Sequence, residues 1–311
     1  MNILVTGATG FVGSHLLDRL QTGRHRVRCM VAPFEMKAAQ GLKSRGFEAV
    51  VADIMNRDEI RRAIPEGLDA VFHLAGILTE TRKVKFVDIH VNATRNLVDA
   101  CVEKNLKRFI FTSAFGAAPD AESALHRSKW ECERLLRMSG LEYTILRPTI
   151  IFGRGDRFTN LFAYEIRNHP FIPIPDGGRN AMQPIFVDDL AEAMVRCLRR
   201  DDTRFGAYDL GGHETYTFRE MVKRIYKVVG IRRRMVPVPI PLMYVMGFFY
   251  ELFSDKPMLT RDLVTLLKKD YVAPGNAITE VFGIKPVGFV EGMRTYLRAE
   301  APHGEWPRKA A

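Results

Sequence analysis

Seven residues into the chain, three glycines begin to recur at three-residue spacing: Gly7, Gly10 and Gly13. They sit between two patterned stretches. Residues 3–5, Ile-Leu-Val, form a short apolar run that reads as a buried parallel strand. Val12, Leu16, Leu17 and Leu20 then share one face of a helix. Strand, glycine turn and helix in this order build a corner that receives a pyrophosphate. Gly7 permits the tight turn, Gly10 lets backbone amides approach the phosphates, and Gly13 lets helix and strand pack closely. The helix start adds unpaired N–H groups and partial positive charge. The corner predicts a dinucleotide-binding fold.

The rest of the first half repeats that unit. Strands are expected at 27–31, 47–51, 69–74, 108–113 and 143–146, with long helices at 86–106 and 123–139. Asn56, with Glu59 three residues on, reads as a helix N-cap. Strands that alternate with helices give an α/β, doubly wound parallel sheet of the Rossmann type. Ligands bind at the carboxyl ends of its strands, which here carry Gly7, Asp53, Ala75, Ser113 and Arg147-Pro148. We expect a dinucleotide-binding domain over 1–150. A smaller, loop- and helix-rich C-terminal domain of the substrate type follows over 151–311, with residues 183–212 returning to the main domain.

Individual positions carry narrower expectations. The residue after the second strand selects the cofactor, since an acid there bonds the ribose 2′-hydroxyl and an arginine takes a 2′-phosphate. Here it is Ala32, with Arg28 and Lys37 as phosphate partners and Glu35 expected on the next helix, so the position leans to NADP(H) over NAD(H). Asp53 can bond the adenine amino group or simply accept loop amides. Small residues in His73-Leu-Ala-Gly76 would let the backbone run beside the nicotinamide ribose. His73 reads as a strand-end side chain, since no second residue has metal-ligand spacing, and no metal site is expected.

Composition limits the remainder. With 47% hydrophobic and 26% charged residues, the chain is an ordinary folded protein. Its four cysteines, Cys29, Cys101, Cys132 and Cys197, show no CxxC spacing and read as reduced thiols of a cytosolic-type compartment. No signal peptide is expected ahead of the first strand. The expected setting is cytoplasmic, or peripheral on the inner face of the cell membrane. The net charge of +10, from 46 basic and 36 acidic residues, suits an anionic cofactor, an anionic membrane surface or an acidic partner, or serves solubility alone. No aromatic-basic pattern points to nucleic acid.

In the second half, residues 218–229 form a basic amphipathic helix. The run 236–241, Val-Pro-Val-Pro-Ile-Pro, cannot be helix because three prolines alternate. Residues 242–253 are almost wholly apolar, too short to span a bilayer. They read either as a helix buried in the second domain or as an interfacial helix whose basic neighbours, 232–234, meet a membrane surface or a protein partner. The end, from Pro302, is expected to fray.

Taken together, Gly7-x-x-Gly10-x-x-Gly13, Asp53, His73-Leu-Ala-Gly76, Val91-Asn-Ala-Thr-Arg-Asn-Leu97, Thr112-Ser-Ala114 and Leu146-Arg-Pro148 resemble the extended and atypical short-chain dehydrogenase/reductase superfamily. The stretches 151–158 and 183–188, the proline run and Thr260-Arg-Asp262 narrow the likeness to the Rossmann-type NAD(P)H-binding accessory subunit of respiratory complex I and its bacterial relatives. The resemblance implies a cofactor site of Gly7, Thr9, Gly10, Phe11, Val12, Gly13, Ala32, Asp53, Ile54, Leu74, Ala75, Gly76, Asn92, Ser113, Lys129, Pro148 and Ile150. It also implies tight binding of a nucleotide, NADPH by that likeness, in a structural or regulatory role, with a quinone-related substrate or partner as a further implication.

One position departs from the superfamily. Active members carry a Tyr and a Lys four apart on the helix after the fifth strand, where the cation lowers the phenol's pKa for proton exchange. Counting back from Lys129 gives Leu125, which carries no proton. Ser113 and Lys129 remain as remnant catalytic candidates. His126 is one residue off and about 100° around the helix, and Tyr143 and Tyr164 stay open. The chain thus reads as a nucleotide-binding protein with little or no Tyr–Lys catalysis. The alternatives are an active NAD(P)-dependent oxidoreductase or epimerase on a small substrate, and a nucleotide-sensing regulator that binds a protein partner.

Overall fold

A computed structural model of the chain describes residues 1–255, 257 and 259–297; the expected fraying from Pro302 lies outside them. Buried apolar strands followed by amphipathic helices alternate from the start. They are β1 (Asn2–Thr6), α1 (Phe11–Gln21), β2 (Arg26–Val31), α2 (Met36–Ser44), β3 (Glu48–Val51), α3 (Arg57–Ala63), β4 (Ala70–His73), α4 (Ala93–Glu103), β5 (Arg108–Thr112), α5 (Ala124–Arg137) and β6 (Glu142–Pro148). Then come β7 (Ile151–Phe152), α6 (Thr159–Asn168), β8 (Phe171–Pro175), β9 (Ala181–Met182), β10 (Ile185–Phe186), α7 (Val187–Cys197), β11 (Gly206–Leu210), β12 (Tyr216–Thr217), α8 (Phe218–Val229), β13 (Arg234–Val238), α9 (Ile240–Phe253) and α10 (Arg261–Leu266).

The main sheet runs β11-β6-β5-β4-β1-β2-β3, and β1 pairs in parallel with both β2 and β4. The chain therefore changes direction across the sheet between β1 and β4. In such folds ligands bind at this switch point. Ile60, Leu97, Cys101 and Leu136 pack with Leu4, Val71, Phe109 and Ile145 of the strands, a continuous apolar core that removes several hundred Å², in order of magnitude, from water.

Two compact units emerge, Met1–Arg147 with Ala191–Tyr208, and Pro148–Leu190 with Asp209–Ala311. In the second, β13 pairs in parallel with β8. The alternating prolines tolerate this because a two-stranded edge needs N–H donors from every other residue only. The proline run does not exclude helix to its end, however. Helix α9 begins at Ile240 and holds Pro241 in its first turn, where a missing N–H costs nothing.

The helix expected over 86–106 is also modified. Val87–Asn92 forms a π-helical turn before α4. Asn105, at φ 53°, ends the helix, and the Leu106 N–H donates back to the Cys101 carbonyl at 2.9 Å, a left-handed cap that periodicity does not reveal.

Helix α9 is not buried. Its Gly247 is enclosed, while Leu242, Val245, Met246, Phe248, Phe249, Tyr250, Leu252 and Phe253 are all exposed. A Cβ at 247 would sit 3.1 Å from the Arg261 amide, so a glycine is what lets α9 lie close on the start of α10. Among the described residues, no helix is long and apolar enough to cross a membrane.

Candidate functional site: the glycine corner and the start of α5

Strand β1 delivers its chain into the corner at Gly7, whose φ of +70° suits glycine. A Cβ there would stand 2.7 Å from the Ala75 amide and 2.8 Å from the Leu74 carbonyl carbon, so the loop after β4 lies directly on the loop after β1. At Gly13, a Cβ would stand 2.1 Å from the Gly7 carbonyl oxygen. Helix α1 is pulled onto the turn at that point. Gly10 is its N-cap and supplies no side-chain acceptor, which leaves the first-turn amides of Phe11, Val12 and Gly13 without intrahelical partners. Backbone donors, helix dipole and absent side chains together fit a pyrophosphate.

After β2, Ala32 precedes a single 3-10 turn, Pro33–Glu35. The Thr9 hydroxyl donates to a Glu35 carboxylate oxygen at 2.8 Å, so an acid reaches the glycine loop from three residues beyond Ala32. Phe34, beside it, is 80% exposed. Arg28 is no phosphate partner, since it donates to Glu48 at 2.5 Å and to the Ala63 carbonyl at 3.0 Å. Asp53 accepts the Met55 amide at 2.9 Å, the loop-amide role. Asn56 caps α3 as expected, accepting from the Asp58 and Glu59 amides, and Ile54 packs on the core.

On the opposite side, two buried histidines organise the loop after β4. His73 is held between hydroxyls, 2.7 Å from Thr6 Oγ1 and 2.9 Å from Thr94 Oγ1. His90, from the π-helical turn, accepts the Ile77 amide at Nε2 (3.0 Å). Its proton is therefore on Nδ1, which donates to Ser128 Oγ at 2.7 Å, and Ser128 donates to the Leu125 carbonyl at 2.7 Å. Burial, reinforced by the nearby Lys129 charge, drives the His73 pKa down to about 3 and that of His90 down to about 2. Both rings are neutral wherever the protein is folded near neutrality. A side chain at Gly76 would meet His90 Nε2 at 3.1 Å and Lys129 Nζ at 3.3 Å. Asn92 is part-buried, 3.4 Å from Asp88.

Lys129 and Leu125 lie one turn apart on α5, and Leu125 is 5% exposed. The Lys129 ammonium donates to the Thr112 carbonyl at 3.1 Å and lies 5.0 Å from the Phe111 ring centre; burial lowers its pKa. Ser113 does not join it. Its hydroxyl donates at 2.6 Å to Glu133, a fully buried carboxylate that also accepts from Arg147 (2.7 and 2.5 Å) and Arg137 (3.0 Å). Ser113 thus belongs to a buried ionic cluster. His126 packs beside Gly116, its Cε1 3.2 Å from where a Cβ would be. Pro148 and Ile150 fall in the second unit, where Ile150 accepts the Ile185 amide at 2.9 Å. The chain alone gave little sign of Glu35 against Thr9 or of the His90–Ser128 pair, because each joins residues far apart in sequence.

A profile described as the NAD dependent epimerase/dehydratase family matches residues 3–211. Relatives include the Dictyostelium discoideum protein named NADH dehydrogenase (ubiquinone) 1 alpha subcomplex subunit 9, mitochondrial, 30% identical across 88% of this chain and 78% of that one. The mouse protein of the same name is 30% identical across 91% and 75%. Among solved structures, a Thermus thermophilus UDP-glucose 4-epimerase in complex with NAD superposes with a TM-score of 0.71 at 21% identity, covering 96% of this chain and 98% of that one; this likeness shows the fold. The relatives overturn the cytoplasmic and inner-face setting expected from the sequence, since they are mitochondrial by name. All four cysteines are buried and free, which does not say in which compartment the chain works.

Proposed function

The chain belongs to the NAD dependent epimerase/dehydratase family, and from that premise we propose that it holds a nicotinamide dinucleotide with little or no Tyr–Lys turnover, as a subunit of a respiratory, ubiquinone-linked assembly. The observation that carries this reading is Leu125. It occupies, buried, the position one turn before Lys129, where a proton-transferring phenol would have to stand. The bound cofactor would supply hydride chemistry, but no side chain placed at Leu125, Ser113 or Lys129 completes the proton path. Gly7, Gly10 and Gly13 would seat the pyrophosphate. The loop of Leu74, Ala75 and Gly76 would flank the nicotinamide ribose, with Lys129 in reach of its hydroxyls.

The assembly half of the reading draws on relatives that carry the name of an NADH dehydrogenase subunit and on α9. A 14-residue helix with one buried residue exposes more apolar surface than a monomer usually keeps. It is the surface through which we place the protein partner, in preference to free quinone or a bare membrane.

The test has two arms. Purified protein is denatured and the released nucleotide identified by chromatography, while turnover is assayed against quinones and nucleotide sugars. Bound dinucleotide without turnover is expected; steady turnover on any of these substrates overturns the reading. Phe249→Asp should leave the nucleotide in place and release the protein from its large complex on native gels. Wild-type protein that migrates only as a free chain in its own cells would refute the assembly role.

A further inference from the structure

We propose that the outer face of α9 packs against a helix of another protein, one whose apolar stripe is bordered by carboxylates. The inference rests on the assembly reading above, and it names the chemistry that the partner must present.

Helix α9 divides into two opposite faces. Tyr244, Gly247 and Glu251 turn to α10. The Tyr244 and Thr265 hydroxyls lie 2.7 Å apart, Gly247 is buried, and the Glu251 carboxylate accepts from the Arg261 amide at 2.7 Å and from its guanidinium at 2.8 Å. About 180° around the helix, Leu242, Val245, Met246, Phe249, Leu252 and Phe253 form one exposed stripe, along which the Phe249 and Phe253 rings stack 6.3 Å apart. Steps of three and four residues over about 17 Å are what knobs-into-holes packing on a second helix uses, whereas a strand repeats every two. With Phe248 and Tyr250 exposed at its borders, the stripe presents on the order of 800 Å², the half-interface of a standard protein complex. The surroundings are basic. Residues 219–270 hold eleven Lys and Arg against five Asp and Glu, and so six of the chain's ten net positive charges. Arg233 is spent on the Ile166 and Arg167 carbonyls, but Arg232 and Arg234 are exposed at the start of the strand that leads into α9. Lys268 is exposed just past the end of α10, the end that meets Tyr244. Carboxylates on the partner complement such a rim. A second copy of this chain would instead set one basic rim against another. A lipid surface is the poorer fit, because an interfacial helix carries Lys and Arg on its own polar face. Helix α9 has none, and its polar face is turned to α10.

The experiment is photo-crosslinking of the full-length chain in its own cells, with the adducts sequenced by mass spectrometry. Phe249→benzoylphenylalanine and Leu242→benzoylphenylalanine should each join the same segment of one partner protein, at points about seven residues apart, with Asp or Glu flanking them. Tyr244→benzoylphenylalanine, which faces α10, should give no such adduct. Arg232→Glu together with Arg234→Glu should cut the yield from position 249 at least about threefold. If that chain folds poorly, raising salt from about 0.05 to 0.5 M on the isolated assembly should lower the yield in the same direction. Adducts to lipid, to a second copy of this chain, or to a basic or extended segment overturn the proposal. So does a yield that neither charge reversal nor salt alters, or the lack of any adduct from a chain that sits in its large complex. A chain that migrates free on native gels removes instead the assembly reading on which the proposal stands.

Discussion

Acidification from pH 7 to pH 5 should strip stability from this protein through two residues, His73 and His90. Both are neutral and buried in the folded state, with pKa values of about 3 and about 2 against 6.5 unfolded. With the folded pKa below the unfolded one, the unfolded chain binds more protons throughout the interval between them. Stability is therefore complete above pH 6.5 and drains as pH falls from 6.5 toward the folded values. Integrating from pH 7 to pH 5 gives about 2 kcal/mol for each ring, about 4 kcal/mol together, a large part of the roughly 5–15 kcal/mol by which a domain is stable. Asp156 opposes this loss, because burial raises its carboxyl pKa and acid then favours the folded form. Urea unfolding at pH 7, 6 and 5 measures it. His90→Asn should remove about half of the dependence. Ring proton shifts from NMR provide a check that does not need the variant, as neither histidine should titrate above pH 5. A flat stability between pH 7 and pH 5, or a ring that titrates near 6.5, would show that the burial argument is wrong.

Further outcomes follow from the same contacts. Gly13→Ala should cost about 2–4 kcal/mol and abolish nucleotide binding, since its Cβ would stand 2.1 Å from the Gly7 oxygen. Gly41→Ala, in α2 with open space around the added carbon, should instead gain about 0.5–1 kcal/mol; equal urea midpoints for the two variants would refute the packing account. Leu125→Tyr should not restore rapid oxidoreductase turnover, because the Ser113 hydroxyl is held by Glu133 and Lys129 by the Thr112 carbonyl. A large gain of activity would mean that the remainder of an active site is intact.

Local chemistry explains which features were legible from the chain. The glycine corner, the Asn56 cap and helix α8 depend on neighbours within a few residues. Thr217 and Glu220 form a reciprocal capping box at the start of α8, and Gly230 ends it at φ +79°. The doubly wound parallel sheet followed from alternating apolar runs and the handedness of their crossovers. Leu125 was legible because a helix fixes which residue lies one turn before Lys129.

What sequence alone determined is therefore the fold, the glycine turn between β1 and α1 and the leucine one turn before Lys129, each set by spacing along one or two elements. Tertiary structure alone decided the rest, because it depended on which distant groups meet. Glu35 lies 26 residues from Thr9, and only the placement of the turn after β2 beside the glycine loop brings its carboxylate to that hydroxyl. Ser113 looked like an active-site hydroxyl, yet in the folded chain it donates to the buried Glu133, within the ionic cluster that Arg137 and Arg147 complete. The same composition allowed α9 to be core or surface. The close contact at Gly247 settled that it is surface, by letting one small residue hold a helix whose large side chains face outward.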